Sequence, residues 1–350
     1  MKVWHNLYRN LITKENIFRG YKEFKVGKKR KKDVLAFEAD LKNNFNNLHN
    51  ALLYRTYQPG GYSQFYVKDP KLRLIHKAKV VDRVVHHIAS YYLEKIYEPT
   101  FISHSYSCRK NKGTHRGVIA LQRMALKASR NNTRVCWVLK CDIKKFFASV
   151  NHRILMKILS KKIGDKDFYE LLYKITNSFY SDKTVSLINK KGIPIGNLTS
   201  QFFSNIYMNE LDQYIKHELK VKYYIRYADD FVLISQDREY LLGLIKPIHQ
   251  FLKDELDLDL HPDKIILSKF GSGVDFLGYI IFPKYILPRT KTKRRLVRKI
   301  REKIKEFKAG KIAEESLNST IQSYYGFLTH AAAYKFRKEL DNLIWFWLTE

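Results

Sequence analysis

The stretch Lys222-Tyr223-Tyr224-Ile225-Arg226-Tyr227-Ala228-Asp229-Asp230-Phe231-Val232-Leu233-Ile234-Ser235 leaves the backbone few options. Aromatic and β-branched residues fill both halves, and two adjacent acids separate them. The pattern predicts strand, tight turn, strand. Asp is a common turn residue, so a solvated hairpin tip accounts for the dipeptide taken alone. Yet neighbouring carboxylates repel each other and add nothing to a core. Divalent cations would remove the repulsion. Hard cations such as Mg²⁺ take oxygen ligands, and a pair of them can stabilise the attacking and leaving oxygens of a phosphoryl transfer.

Charge favours that second reading. The 350 residues include 65 Lys and Arg against 34 Asp and Glu, a net charge of +31. Such an excess predicts a polyanionic partner, nucleic acid ahead of membrane. Hydrophobic residues at 45% allow a sizeable core. No apolar run reaches the roughly 20 residues that span a bilayer, and Met1-Lys2-Val3-Trp4-His5-Asn6 has no signal-peptide apolar segment. Cys108, Cys136 and Cys141 are too few and too irregular for a zinc site or a disulfide framework. A reduced, cytoplasmic enzyme without a membrane partner is expected.

Along the chain, residues 1–58 read as helical, with one apolar stripe from Asp33 to Leu53. The basic block Lys28-Lys29-Arg30-Lys31-Lys32 precedes it. Gln58-Pro59-Gly60-Gly61 is a break. A hairpin is expected over Tyr62–Ile75, turning at Asp69-Pro70-Lys71, then helices over Val80–Ile96 and Gly113–Ser129. Val135–Ile143 reads as a buried strand that delivers Asp142 at its end. Helices are expected from Asn151, over Thr199–Leu219, and from Arg238 to Leu256, with a hairpin through Asp275–Phe282. From Arg289 to Lys308, eleven basic residues face only Glu302 and Glu306, while Val297, Ile300, Ile304 and Phe307 share one face. That is an amphipathic helix with a positive outer surface.

Two adjacent turn residues cannot enclose two cations, so a third carboxylate is needed. Asp142 is the candidate, although an acid at a strand end also serves as a helix N-cap. An apolar strand ending in Asp142, the bulky Phe147 after it, and a later Tyr-x-Asp-Asp hairpin form a more specific combination than any one of them.

With these blocks in order, the chain resembles the reverse transcriptases. Lys71-Leu72-Arg73-Leu74-Ile75 is similar to the fingers hairpin that contacts the incoming triphosphate. Ser105 to His115 resembles the next fingers block. Asp142 and Phe147 resemble the metal-binding acid and sugar gate of the first palm block. Gly192-Ile193-Pro194-Ile195-Gly196-Asn197 resembles the loop against the nascent base pair. Lys264 resembles the late-palm lysine, and Phe276-Leu277-Gly278-Tyr279 the primer grip.

The resemblance implies an α+β right-hand polymerase: an N-terminal helical basic extension (1–58), fingers (59–134), a palm with an antiparallel sheet and packed helices (135–287, with a fingers-associated insertion at 151–195), and a helical thumb (288–350). It implies catalysis by Asp142, Asp229, Asp230 and Lys264. Two Mg²⁺, replaceable by Mn²⁺, would sit on Asp142, Asp229, Asp230 and the Ile143 carbonyl. Lys71, Arg73, Phe147, Ile195, Gly196 and Gln201 would bind the nucleotide, Phe276, Leu277 and Gly278 would grip the primer, and Arg294, Arg295, Arg298 and Lys299 would follow the nucleic-acid backbone. The partners implied are template RNA, a primer or cDNA strand and deoxynucleoside triphosphates.

The loop Gly196-Asn197-Leu198-Thr199-Ser200-Gln201 and the stretch Cys108–His115 are most similar to the bacterial and phage enzymes of diversity-generating retroelements. Those enzymes copy RNA with frequent errors opposite adenine, in mutagenic retrohoming, helped by a small basic accessory protein. Retroviral relatives carry Gln where this chain has Ile195, and the change implies looser discrimination. Ala228 in the catalytic turn is also common in group II intron enzymes. A group II-like or antiphage-defence reverse transcriptase is the alternative, and a catalytically dead RNA-binding scaffold a second.

Overall fold

The computed structural model describes residues 2–69, 71–181 and 190–350. Pro70 of the expected turn and residues 182–189 of the expected insertion lie outside them. Four helices open the chain: α1 (Leu7–Leu11), α2 (Lys14–Lys25), α3 (Lys32–Ala39) and α4 (Leu41–Leu53). The stripe read as one helix from Asp33 to Leu53 is therefore two. Asp40, at φ −131°, breaks it, while the apolar spacing runs on through the break and hides it.

Strands β1 (Tyr62–Val67) and β2 (Arg73–Ala78) pair antiparallel, the second running past Ile75. Next come α5 (Val80–Tyr97), α6 (Thr114–Ala128), β3 (Trp137–Asp142), α7 (Phe146–Ser149), α8 (His152–Ser160), α9 (Lys166–Asn177) and α10 (Leu198–Gln213). The last continues as a π-helical stretch, Tyr214–Glu218. β4 (Tyr223–Tyr227) and β5 (Asp230–Ser235) form the expected hairpin. The helix expected from Arg238 to Leu256 is divided at Leu244 into α11 (Arg238–Gly243) and α12 (Ile245–Leu256). Strand β6 (Ile266–Lys269), a small sheet of β7 (Val274–Phe276), β8 (Tyr279–Ile281) and β9 (Ile286–Pro288), and helices α13 (Thr290–Lys308), α14 (Glu314–Leu328) and α15 (Tyr334–Thr349) complete the chain.

The central sheet runs β4-β5-β3-β6 and is antiparallel throughout. Strand alternation sorts its side chains onto two faces. Leu139, Cys141, Tyr224, Phe231 and Leu233 enter a core with Val84, Phe203 and Leu252 of α5, α10 and α12. Val138, Ile225, Val232 and Ile234 enter a second core with Leu121 of α6 and with Phe276 and Tyr279 of the small sheet. Each fully buried Leu, Ile or Phe here contributes roughly 1.5–3 kcal/mol. Both faces are covered, so polar groups that must meet a ligand are left to the strand ends.

Helices α13, α14 and α15 enclose a third core of Leu296, Ile300, Ile304, Leu317, Ile321 and Leu340, flanked by Val297 and Phe307. The amphipathic reading of 289–308 thus holds, with Leu296 added to the stripe. Among the described residues, no helix is long and apolar enough to cross a membrane. The architecture is the α+β right-hand polymerase fold.

Candidate active site

β3 lies between β5 and β6, and its register sets Asp142 directly opposite Asp230. Partners in an antiparallel ladder point to the same face, so the two carboxylates share one side of the sheet end. Tyr227 pairs with Asp230 in the β4–β5 ladder, which leaves Ala228 and Asp229 as a two-residue turn. Ala228 carries a φ of 55°, a left-handed conformation that alanine adopts at a cost.

Asp142 is buried. Burial, then the Asp142 carboxylate, with a smaller contribution from Asp230, pushes the Asp229 carboxyl up to about 6. Burial also raises Asp230, against the pull of Lys140. Two ammonium groups answer this charge. Lys264 donates to Oδ1 of Asp142 at 2.6 Å, and Lys140 lies 3.6 Å from Oδ1 of Asp230 while donating to the Asp275 carbonyl at 3.2 Å. Lys264 is delivered by a turn tied to β3, where the His261 N–H donates to the Asp142 carbonyl at 2.8 Å. Ile143 bridges to Leu260. The hydrogen bonds of that bridge run from His261 to Asp142 and from Lys144 to Asp259, so the Ile143 carbonyl stays outside them.

The donor chemistry fits hard divalent cations: clustered carboxylate oxygens whose negative charge is in excess, one of them held above its usual range. Among the described residues, however, no group of three His, Cys, Asp or Glu side chains is already gathered to hold a metal ion. Asp142 is committed to Lys264 instead.

Of the residues expected to bind the nucleotide, Phe147 and Ile195 line one cavity of about 520 Å³, with Leu74, His76 and Ile193. Backbone contacts fix that arrangement. The Ile193 N–H donates to the Phe147 carbonyl at 2.8 Å, and the His76 N–H to the Ile195 carbonyl at 3.1 Å. Gly196 has a φ of 117°, and a Cβ there would come within 2.9 Å of the Ile75 side chain, so this loop needs glycine. Gln201 is half-buried in the first turn of α10, and Lys71 and Arg73 stand exposed on the β1–β2 hairpin.

Two expected contacts change. Phe276, expected in the primer grip, is completely buried in the second core, so it supports the Leu277–Gly278 turn and is not placed to reach a primer. Leu277 and Gly278, both at positive φ, form that turn; both are half-buried, and Leu277 packs against the same core. On α13, Arg294 and Arg298 are exposed, whereas Arg295 reaches Asp69, which follows β1, 3.5 Å away. Lys299 and Arg298 meet Glu302.

Sequence reading missed Lys140 and the buried pair Arg226–Asp212. The signal for Lys140 and Arg226 was a charged residue inside an otherwise apolar, strand-forming run; Asp212, on α10, carried none.

The family profile described as "Reverse transcriptase (RNA-dependent DNA polymerase)" matches residues 66–281. Protein YkfC of Escherichia coli (strain K12) is 28% identical over 272 residues, covering 68% of this chain and 71% of its own length. The putative COX1/OXI3 intron 2 protein of Saccharomyces cerevisiae is 24% identical over 297 residues, 69% of this chain and 32% of that protein. Group II intron-encoded protein LtrA of Lactococcus lactis subsp. cremoris is 22% identical over 348 residues, 80% of this chain and 57% of that protein. The chain thus spans only about a third and just over half of the two intron proteins. The profile match covers more than half of the chain and includes Asp142, Phe147 and the Tyr227–Asp230 turn, and on that ground the chain belongs to the reverse transcriptase family, the RNA-dependent DNA polymerases.

Proposed function

We propose that this reverse transcriptase is the error-prone enzyme of a diversity-generating retroelement, extending a primer on an RNA template with deoxynucleotides and misreading adenine. The observation that carries the subtype is Ile195. An apolar side chain faces the same cavity as Phe147, where a glutamine would offer a hydrogen-bonding amide. A base pair checked by shape without that polar contact is checked more loosely.

In this reading Asp142, Asp229 and the Ile143 carbonyl hold two Mg²⁺, with Mn²⁺ accepted by the same oxygens. Bound there, the ions supply the positive charge that lowers the pKa of the primer 3′ hydroxyl and offsets charge on the triphosphate. Asp230 orients the site from across the ladder. Arg73 and Lys71 clamp the β- and γ-phosphates by charge-assisted hydrogen bonds. Phe147 fills the space a 2′-OH needs. Lys264 gives its proton to the departing pyrophosphate, for which it must first leave Asp142. Leu277 and Gly278 meet the primer, and Arg294 and Arg298 follow the backbone. Residues 59–134, 135–287 and 288–350 act as fingers, palm and thumb, and 1–58 as a basic extension. A small basic accessory protein is the expected partner.

The intron-encoded relatives and Ala228 favour a second reading, a group II-like enzyme without the mutagenic role. Sequencing cDNA made by the purified protein on a defined RNA separates the two. Substitutions concentrated opposite adenine support the retroelement reading; an even error spectrum favours the intron-like one.

A further inference from the structure

Arg226 sits one residue before Tyr227 and is completely sealed from solvent, as is Asp212 of α10. Removing both ions from water costs about as much as their attraction returns, so such a pair is a poor device for stability alone. What it supplies is geometry. Arg226 Nε and Nη2 donate to Oδ1 and Oδ2 of Asp212 at 2.7 and 2.6 Å. Tyr224 Oη donates to the same Oδ1 at 2.8 Å. The planar fork is thereby fixed, and Nη1 is left to donate to the Ala228 carbonyl at 3.0 Å.

The backbone of Arg226 is held as well. Its N–H donates to His104, and its C=O accepts from Tyr106, at 3.0 and 2.9 Å. Asn205 Nδ2 donates to the Ser107 carbonyl at 2.8 Å, and its Oδ1 lies 3.4 Å from Nη1. The His104–Ser107 segment, α10 and the β4–β5 turn therefore meet at one arginine. Ala228, at φ 55°, needs such an external hold, because a strained residue keeps its conformation only when its surroundings over-determine it.

We propose that Arg226, fixed by Asp212, is a positioning residue for the polymerase reaction: it holds the Ala228 carbonyl and so aims the neighbouring Asp229 carboxylate. The inference rests on Asp229 being a reacting-site carboxylate. Lysine keeps the charge beside Asp212 but cannot grip the carboxylate in a fork and reach Ala228 at once.

The test is Arg226→Lys, assayed by primer extension. Misplacement of a reacting group by an ångström costs about 10²-fold in rate. Expected are a kcat lower by about that factor and a several-fold higher Mg²⁺ concentration for half-maximal rate. The deoxynucleotide KM and the RNA affinity should stay near wild type, and the thermal midpoint should fall. A folded Arg226→Lys protein with wild-type kcat and Mg²⁺ requirement overturns the proposal. If that variant does not fold, the double variant Asp212→Leu with Arg226→Met decides, since buried pairs tolerate joint apolar replacement. It should fold and be slow, and wild-type kcat there overturns the proposal equally. Asp229→Asn is the control. If it retains synthesis, the reading of Asp229 fails; if it is inactive while Arg226→Lys is normal, only the positioning role fails.

Discussion

Asp142 and Asp230 are direct partners across the β3–β5 ladder, so two carboxylates occupy one end of the sheet before any ligand arrives. Asp229 joins them from the turn, and Lys264 and Lys140 balance them in part. Nothing in core packing requires this concentration of charge.

Replacing Asp229 and Asp230 together by Ala is expected to abolish Mg²⁺-dependent cDNA synthesis while leaving RNA affinity within about twofold, because phosphate contacts elsewhere dominate binding. Primer extension and filter binding on the same preparation check this. Synthesis at the wild-type rate would sink the two-metal mechanism.

Asp229 also gives a pH signature. Its carboxyl is raised from 3.8 to about 6 in the fold, chiefly by burial. The unfolded chain then releases this proton first, so metal-free stability falls as pH rises from about 4 to about 6 and is level above. Asp229→Asn removes that loss. In EDTA its unfolding free energy should match wild type near pH 4 and exceed it above pH 6, by on the order of 1–3 kcal/mol. Parallel curves across the whole range would contradict the burial argument.

Lys264→Gln separates the two roles available to that ammonium. Removing its charge from Asp142 should lower the Mg²⁺ concentration needed for half-maximal binding. Losing a general acid should lower kcat by about 10²-fold or more. Tighter metal binding with unchanged kcat would leave Lys264 as a counter-ion alone.

The cavity shared by Phe147 and Ile195 predicts two separable changes in selectivity. Ile195→Gln is expected to reduce errors opposite template adenine. Phe147→Ala is expected to raise ribonucleotide incorporation without changing that error bias. An unchanged cDNA error spectrum in Ile195→Gln counts against the subtype.

On α13, Arg294→Gln with Arg298→Gln should weaken RNA–DNA duplex binding evenly across sequences. The slope of log affinity against log salt should fall by about two. A slope equal to that of wild type would remove these residues from the backbone contacts.

What could be read in advance follows from how local each determinant is. That Asp142 belongs with the Asp229-Asp230 turn was legible because one β-rich run ends at Asp142 and two others flank the turn; the register that sets Asp142 opposite Asp230 was not. The breaks at Asp40 and Leu244 were not, since the apolar period passes through both. Phe276 was misjudged because a motif gives the position of a turn and not which flanking side chain the core takes. Arg226 looked like one more basic residue in a basic chain. Its meaning depends on Asp212 and Ala228, brought to it by a helix and a turn that the sequence does not show meeting. The approach of Arg295 to Asp69 is likewise a product of how distant elements come together.

The ammonium groups beside the acids bear on timing. Three carboxylates against Lys140 and Lys264 leave the site one positive charge short. A single divalent ion more than makes up that deficit, whereas two would leave an excess of three positive charges in a half-buried pocket. A triphosphate entering with its own negative charge cancels that excess and gives Lys264 a reason to change partners. In the proposed two-metal reading, full assembly of the site is therefore tied to the arrival of a nucleotide, and the contact of Lys264 with Asp142 is the one that has to break.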